Sequence, residues 1–196
     1  MAGAAVKPNP NRKGWMIIPG VQPIGDRTIE SQMKGLDPAL AECSGKTVLD
    51  LGCAEGAIAL AFAKAGAASV LGLEYSEESL NVARWISQEA ANVSFRQAHL
   101  KHWVAQHPDP EQYDIVLALG IVHKFHQPAD AAHFVARSAR NLICFRAPGG
   151  VWNGIVKSKH TGQSCDWFEI MAQHNFVREQ TIRGDFDEGV EYWRRA

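Results

Sequence analysis

Short apolar runs alternate with helical patterns from residue 47 onward, and this alternation limits the fold more than any other feature of the sequence. Strand-like runs occupy residues 47–51, 69–74, 93–97, 114–119 and 141–146. Between most of them, apolar residues recur at helical spacing, which predicts helices over residues 57–65, 77–90 and 129–140. Runs that are apolar on both faces and separated by helices indicate an α/β fold with a parallel sheet covered on both sides.

The two ends of the chain depart from this pattern. Residues 1–14 are rich in proline, asparagine and glycine, which predicts a flexible tail. Residues 15–45 begin with an apolar segment broken by prolines and glycines, for which we expect an ordered irregular structure that serves as a lid or, equally, as a dimer contact, and continue with a helix that Asp26 caps. In the remainder, residues 46–196, we expect a single domain that ends with a helix over 164–174 and an antiparallel hairpin of 176–183 and 190–195.

Composition favours an ordinary globular protein and gives no support for a polyanionic partner. The 196 residues are 46% hydrophobic, and 20 basic residues balance 21 acidic ones. This balance gives no general attraction to nucleic acid or to an anionic membrane surface. Because no apolar run is long enough to span a bilayer and the first residues lack a signal pattern, we expect a cytoplasmic protein. The sequence gives no indication of the oligomeric state.

Two glycines follow the first strand-like run, in the loop of residues 52–56. Gly52 and Gly56 lie where a parallel strand leads into a helix, the position at which α/β folds bind ligands. Dinucleotide-binding loops have a middle glycine that lets a pyrophosphate approach; here that position is Ala54, and Glu55 adds negative charge. We therefore expect a ligand without phosphates at this loop.

A second acidic residue points to the sugar of that ligand. Glu74 follows Gly52 by 22 residues and ends the next strand-like run. An acidic side chain at this place can accept hydrogen bonds from both hydroxyls of a ribose. The glycine loop and Glu74 together predict a nucleoside ligand.

Three motifs resemble those of class I S-adenosylmethionine (SAM)-dependent methyltransferases. "VLDLGCAEG", "GLEYS" and "YDIVLALGIVH" are similar to the first, second and fourth motifs of that family and occur in the same order. The resemblance implies one doubly wound domain with a seven-stranded mixed sheet in the order 3-2-1-4-5-7-6, the last strand antiparallel. It also implies SAM as cofactor and S-adenosylhomocysteine (SAH) as product.

The resemblance further implies a set of cofactor contacts. The methionine portion would be surrounded by Asp50, Gly52, Cys53 and Gly56; Glu74 would hold the ribose and Tyr75 would flank the adenine; Leu119 and Gly120 would form the floor beneath the sulfonium. His99 takes the place of the acid that the family often uses to bind the adenine amine. The adjacent Leu100 is a further expected cofactor contact. Two alternatives stay open, because Asp50 could equally organise the loop backbone and Cys53 could fill space as a small buried thiol.

Candidate catalytic residues follow the fourth-motif strand. Methyl transfer is an in-line displacement that requires a positioned acceptor, and it needs a base only when the acceptor arrives protonated. His123 and His126 are the candidate bases, although His123 could equally pack the loop. A metal site is disfavoured because no acidic or thiolate residue stands near these histidines, and the four cysteines are widely spaced.

The function expected from the sequence is methyl transfer to a small-molecule acceptor, in which positioning matters more than a dedicated base. Nucleic acid is not supported as a partner by the charge balance, and no membrane association is expected. The alternatives are a non-catalytic SAM- or SAH-binding module, an enzyme that cleaves SAM, and a tRNA-modifying transferase.

Overall fold

The computed structural model of the protein describes residues 7–146, 153–185 and 188–196. The chain divides into two compact units, Met1–His99 and Leu100–Ala196, which are considered in turn. Among the described residues, none of the helices has both the length and the apolar character needed to cross a membrane.

Three parallel strands form the centre of the first unit. The elements of this unit are β1 (Lys13–Ile17), β2 (Ile24–Thr28), α1 (Ile29–Met33), α2 (Asp37–Glu42), β3 (Thr47–Leu51), α3 (Ala57–Lys64), β4 (Ser69–Glu74), α4 (Glu77–Ile86) and β5 (Val93–Gln97). In β3–β4–β5, Val48 pairs with Val70, and Val70 pairs with Val93. The predicted bounds of β3, β4 and β5 are confirmed, whereas α4 ends four residues before its predicted end.

The N-terminal segment contains two strands where an irregular lid was expected. β1 and β2 pair in parallel, and β1 begins at Lys13, inside the predicted tail. Met16 and Ile18 are buried in a cluster with Ala57 of α3 and Val82 of α4. This apolar contact holds the segment on the first unit, because it removes both side chains from water.

The helix that follows begins two residues later than the sequence predicted. Asp26 lies within β2 and pairs with Lys13, so the prediction that it caps the helix is wrong. Thr28 is the cap, because its Oγ1 accepts a hydrogen bond of 3.2 Å from the backbone N–H of Ser31.

The second unit combines a parallel strand pair with an antiparallel hairpin. Its elements are α5 (Leu100–Gln106), β6 (Tyr113–Leu119), a short 3-10 turn (Val122–Lys124), α6 (Pro128–Ser138), β7 (Ala139–Arg146), β8 (Ile155–Lys157), β9 (Ser164–Asp166), α7 (Trp167–Gln173), β10 (Phe176–Arg183) and β11 (Gly189–Arg195). β6 and β7 are parallel, β11 is antiparallel to β7, and β10 is antiparallel to β11. The predicted terminal hairpin is therefore confirmed.

Two short features of the second unit differ from the sequence predictions. The helix expected over residues 164–174 begins only at Trp167, because Asp166 caps it by accepting a hydrogen bond of 3.0 Å from Glu169 N. The three residues before Trp167 form β9, which pairs with β8 in a small antiparallel hairpin. The helix α5 was not predicted; none of its residues is fully buried, so it carries no strong apolar period.

The strand order of the main sheet is β10-β11-β7-β6-β3-β4-β5. Counted from Thr47 and leaving aside β8 and β9, this order corresponds to 3-2-1-4-5-7-6 with the last strand antiparallel. The predicted fold class, an α/β fold with a seven-stranded mixed sheet, is confirmed.

Candidate cofactor site

The loop between β3 and α3 is held in an unusual backbone conformation. Gly52, Ala54 and Gly56 have φ angles of 75°, 49° and 74°, in the left-handed region that glycine adopts without strain. The backbone N–H groups of Gly52 and Cys53 both donate to the carbonyl of Leu73, at 2.8 and 3.1 Å. These two backbone hydrogen bonds therefore hold the loop against the end of β4.

Gly56 and Cys53 each serve the packing beneath this loop. A Cβ atom on Gly56 would lie 2.6 Å from the Cβ of Ala83 and 2.9 Å from the ring of Phe95, so that any side chain there would displace α4 or β5. The Cys53 thiol is 4% exposed and occupies the space beside Gly72. Burial, followed by the negative charge of Asp50, raises the pKa of Cys53, which makes this thiol a packing group and a poor nucleophile.

Glu74 bridges the glycine loop and the end of its own strand. Its Oε2 accepts a hydrogen bond of 3.1 Å from Ala54 N, and its Oε1 accepts bonds of 2.7 and 2.9 Å from Tyr75 N and Ser76 N. Three backbone donors thus fix the carboxylate in orientation. Because the two oxygens of a carboxylate offer about four acceptor positions in total, capacity remains for further hydroxyl donors.

Asp50 is buried next to Glu74 without a complete set of hydrogen bonds. Its side chain is at the end region of β3, the residue is 3% exposed, and its Oδ2 has no hydrogen-bond partner among the described residues. Burial, and then the negative charge of Glu74, raise the pKa of Asp50 to about 7. A cationic group that approached this acidic pair would relieve the repulsion and satisfy the oxygen.

Glu55 has a different role from the one inferred from the sequence. Its carboxylate is buried and accepts hydrogen bonds from Trp15 N at 3.0 Å and Met16 N at 2.9 Å, and it lies 3.4 Å from Nη1 of Arg12. Glu55 therefore does not place free negative charge in the loop, contrary to the prediction from the sequence. Its charge is compensated inside the first unit, where it holds β1 in place.

Tyr75 and His99 form an aromatic pair at the carboxyl ends of β4 and β5. Their ring centroids are 5.1 Å apart with the planes at 83°, and the Tyr75 side chain is 65% exposed. Gln97 donates from Nε2 to the carbonyl of Tyr75 at 3.1 Å, which steadies this corner. The first unit thus brings the glycine loop, Asp50, Glu74, Tyr75 and His99 together at the carboxyl ends of the parallel strands.

In the second unit, the predicted contacts lie where β6 ends. Leu119 is the last residue of β6, and Gly120 has a φ of 68° and donates its N–H to the carbonyl of Arg146 at 2.7 Å. A Cβ on Gly120 would meet nothing within 4 Å, so the backbone here borders open space. Leu100 is the first residue of α5 and is partly buried.

The two candidate bases differ in their surroundings. His123 lies in the 3-10 turn, and its buried Nδ1 has no hydrogen-bond partner in the described part of the chain. Burial, and then the positive charges of Lys124 and Lys159, lower the pKa of His123 to about 4, so its imidazole is neutral at neutral pH. His126 is exposed, and its ring meets that of His160 edge-on with centroids 5.4 Å apart.

The loop between β8 and β9 was not recognised from the sequence as a neighbour of these histidines. The N–H of Lys159 donates to the carbonyl of His123 at 2.9 Å, and Oγ1 of Thr161 donates to the carbonyl of His126 at 2.7 Å. These contacts join residues about 35 positions apart, and no local pattern signals them. Over the described ranges, no three His, Cys, Asp or Glu side chains are grouped as metal ligands would be.

A family model described as "Methyltransferase domain" matches residues 42–151. The ubiquinone biosynthesis O-methyltransferase of Klebsiella pneumoniae is 35% identical over 144 residues, which cover 73% of this chain and 54% of that protein. The enzyme of the same name from Acinetobacter baylyi is 31% identical over 121 residues, 61% of this chain and 47% of that protein. The chain thus spans about half the length of the curated relatives it matches.

Solved structures agree on the fold. A magnesium protoporphyrin IX methyltransferase from Synechocystis PCC 6803 with bound SAH superposes with a TM-score of 0.63 at 20% identity, covering 82% of each chain. A putative SAM-dependent methyltransferase from Listeria monocytogenes gives a TM-score of 0.65 at 17% identity, covering 85% of this chain and 98% of that one.

Together, the sheet order, the glycine loop with its carboxylate and these similarities define a methyltransferase domain. The chain belongs to this family, and the resemblance to class I SAM-dependent methyltransferases is confirmed.

Proposed function

We propose that the protein binds SAM and transfers its methyl group to a hydroxyl oxygen of a small-molecule acceptor, with SAH as product. The observation that carries the proposal is the position of Glu74. Its carboxylate is fixed by Ala54 N of the glycine loop and by two N–H groups at the end of β4. A preorganised acceptor beside an open glycine loop suits the two hydroxyls of a ribose.

The other polar groups of the first unit fit the remaining parts of SAM. The methionine portion of SAM carries an ammonium group, and the adjacent sulfonium is also positive. Buried Asp50 and the partly buried Glu74 beside it offer negative charge to this cationic end, and Oδ2 of Asp50 lacks a hydrogen-bond partner among the described residues. Tyr75 flanks the adenine, and His99 accepts a hydrogen bond from the adenine amine through a ring nitrogen.

Gly52, Cys53 and Gly56 contribute backbone to this arrangement. Their amides and carbonyls set the shape of the loop, while the side-chain thiol of Cys53 remains in the packing layer. Leu100, Leu119 and Gly120 of the second unit stay predicted cofactor contacts. The open backbone at Gly120 supports this assignment, since a residue with a side chain would fill that space.

The second unit supplies little base strength for the reaction. Bound SAM supplies an activated methyl group, so the protein mainly orients the acceptor and excludes water. His123 is neutral at neutral pH and can accept a hydrogen bond from an acceptor hydroxyl, but with a pKa of about 4 it holds a proton only weakly. His126 is exposed and is the less restricted of the two imidazoles.

Two observations support a small hydroxylated acceptor. Relatives that match this chain over 144 residues are named as ubiquinone biosynthesis O-methyltransferases. The chain's 20 basic and 21 acidic residues provide no net positive charge for attracting nucleic acid. The acceptor class is therefore proposed as a hydroxylated small molecule.

The experiment that tests catalysis measures SAH formation in the presence and absence of hydroxylated aromatic compounds. Acceptor-dependent formation of SAH together with a methyl ether is expected. SAM binding without any turnover would instead identify a non-catalytic binding module, and consumption of SAM in the absence of an acceptor, without a matching amount of SAH, would identify a SAM-cleaving enzyme.

A further inference from the structure

A cleft with a volume of about 430 Å³ lies between α5 and α6 of the second unit. We call it the α5–α6 cleft. Its lining includes Lys101, Val104, Phe125, His126, His133 and Arg137. Its volume falls in the range of about 300–1,000 Å³ that is typical of small-molecule sites. The methyl-transfer proposal makes no use of this cleft, apart from the candidate base His126 at one end.

The lining combines an apolar floor with an excess of positive charge. Val104 and Phe125 provide apolar surface, and Lys101 and Arg137 carry fixed positive charge. Asp130 is the one acidic residue among the residues that line the cleft. The chemistry of this lining therefore matches a ligand that has an apolar body and a negatively charged group.

Arg137 is the residue that most needs such a ligand. Its Nε is buried and has no hydrogen-bond partner among the described residues, and no carboxylate in that part of the chain forms an ion pair with it. A buried donor without an acceptor is costly, which makes an anionic oxygen a favourable partner. A guanidinium can also bind a carboxylate or phosphate through two parallel hydrogen bonds.

The surroundings of Arg137 are positive on its far side as well. Arg137 also lines a second cavity of about 310 Å³, together with His174 and Arg195, and Asp109 is the acidic residue there. Arg195 donates to four backbone carbonyls, among them those of Arg140 and Ala139, so its charge is hydrogen-bonded but not neutralised by an acid.

A histidine pair lies beside these arginines. His133 Nδ1 and His174 Nε2 share a hydrogen bond of 3.0 Å. Burial, followed by the neighbouring His133, Arg137 and Arg195, lowers the pKa of His174, which reflects the local excess of positive charge. An anion at Arg137 would offset that excess.

We propose that the α5–α6 cleft binds a small amphipathic anion, with its apolar body against Val104 and Phe125 and its carboxylate or phosphate group at Arg137. All the residues that line the cleft belong to the second unit, and the site does not rest on the methyl-transfer proposal. Carboxylate and phosphate share the chemistry that recognises them here, and the probes below distinguish the two.

The test is calorimetric titration of the intact protein with four probes of the same chain length: octanoate, octyl phosphate, octanol and octyltrimethylammonium. Octanoate or octyl phosphate binds with a stoichiometry of one, and the neutral and cationic probes bind more weakly or not at all. Whichever anion binds more tightly identifies the preferred head group. Binding of octanol as strong as that of both anions overturns the proposal, as does the absence of any binding.

Variants locate the site. Arg137→Gln weakens anion binding by about tenfold or more, because a charged hydrogen bond is lost. Arg140→Gln is the matched control, since Arg140 lies three residues further on, in β7, does not line the cleft and is half-exposed beside Asp114. Equal loss of affinity in both variants, or no loss in Arg137→Gln, contradicts the assignment.

A second variant keeps the test decisive if Arg137→Gln fails to fold. Asp130→Asn removes the acid from the cleft lining at an exposed position and tightens anion binding. Weaker or unchanged binding of the anions by Asp130→Asn overturns the proposal. Circular dichroism melting of each variant establishes that the compared proteins are folded.

Discussion

Replacing Asp50 with asparagine removes a buried acid whose ionisation opposes folding. The residue is 3% exposed, and burial with the nearby Glu74 raises its pKa from 3.8 to about 7. The folded protein therefore keeps the proton between pH 4 and pH 7, whereas the unfolded chain releases it. Because the pKa is raised in the folded state, this contribution to stability is fully present below pH 4 and is lost as the pH rises through 7.

The size of the effect follows from the shift in pKa. A difference of about three pKa units corresponds to about 4 kcal/mol, at roughly 1.4 kcal/mol per unit. Between pH 5 and pH 8, linkage predicts that the wild type loses about 3 kcal/mol of unfolding free energy relative to Asp50→Asn. Asparagine has nearly the same shape but no ionisable group, so its stability lacks this pH dependence.

Urea unfolding of both proteins at pH 5, 6, 7 and 8 measures this difference. The expected result is that the unfolding free energy of Asp50→Asn minus that of the wild type increases with pH and levels off above pH 7. A gap that stays constant across the four pH values would refute the reasoning, because it would mean that Asp50 has the same pKa in the folded and unfolded states.

Two further predictions concern the loop and the candidate base. Gly56→Ala lowers the unfolding free energy by about 2–4 kcal/mol, because the added Cβ strains the left-handed backbone and overlaps with Ala83 and Phe95. The control Gly45→Ala, at a similar φ but with open surroundings, lowers it by only about 1–2 kcal/mol. Equal losses in urea unfolding would contradict the contribution of packing at Gly56. The pKa of His123 is lowered from 6.5 to about 4 in the folded state. Between these pH values the unfolded chain binds a proton that the folded protein does not bind, so the free energy of unfolding decreases as the pH drops from 6.5 towards 4. His123→Gln flattens that fall in thermal melts at pH 4.5–7, and an unchanged pH profile would show that His123 is not desolvated.

Much of the fold could be predicted because the central strands are marked by the sequence itself. The runs that form β3, β4 and β5 are apolar and bounded by glycine and polar residues, so that their limits are visible locally. By contrast, β8 and β9 have three residues each, too few to show a period. β1 and β2 were missed because prolines and glycines in the segment between and around them favour an irregular structure.

The candidate site shows the same division between local and non-local information. Gly52 and Glu74 could be placed from the sequence because each lies where a strand ends, and Gly56 because it precedes α3. The role of Glu55 could not, because the sequence reveals a charge but not the backbone N–H groups of Trp15 and Met16 that compensate it. The contact of the β8–β9 loop with His123 likewise depends on chain folding over more than 30 residues.

The most direct test of the central claim is calorimetric titration of SAM and SAH into the wild type, Glu74→Gln and the control Glu77→Gln. Glu77 is a surface carboxylate three residues further on, paired with Arg84, and takes no part in the loop. The account predicts micromolar binding of both ligands, about −8 kcal/mol, that Glu74→Gln abolishes and Glu77→Gln leaves unchanged. Absence of binding by the wild type, or equal binding by all three proteins, would contradict the assignment of this edge of the first unit as the cofactor site.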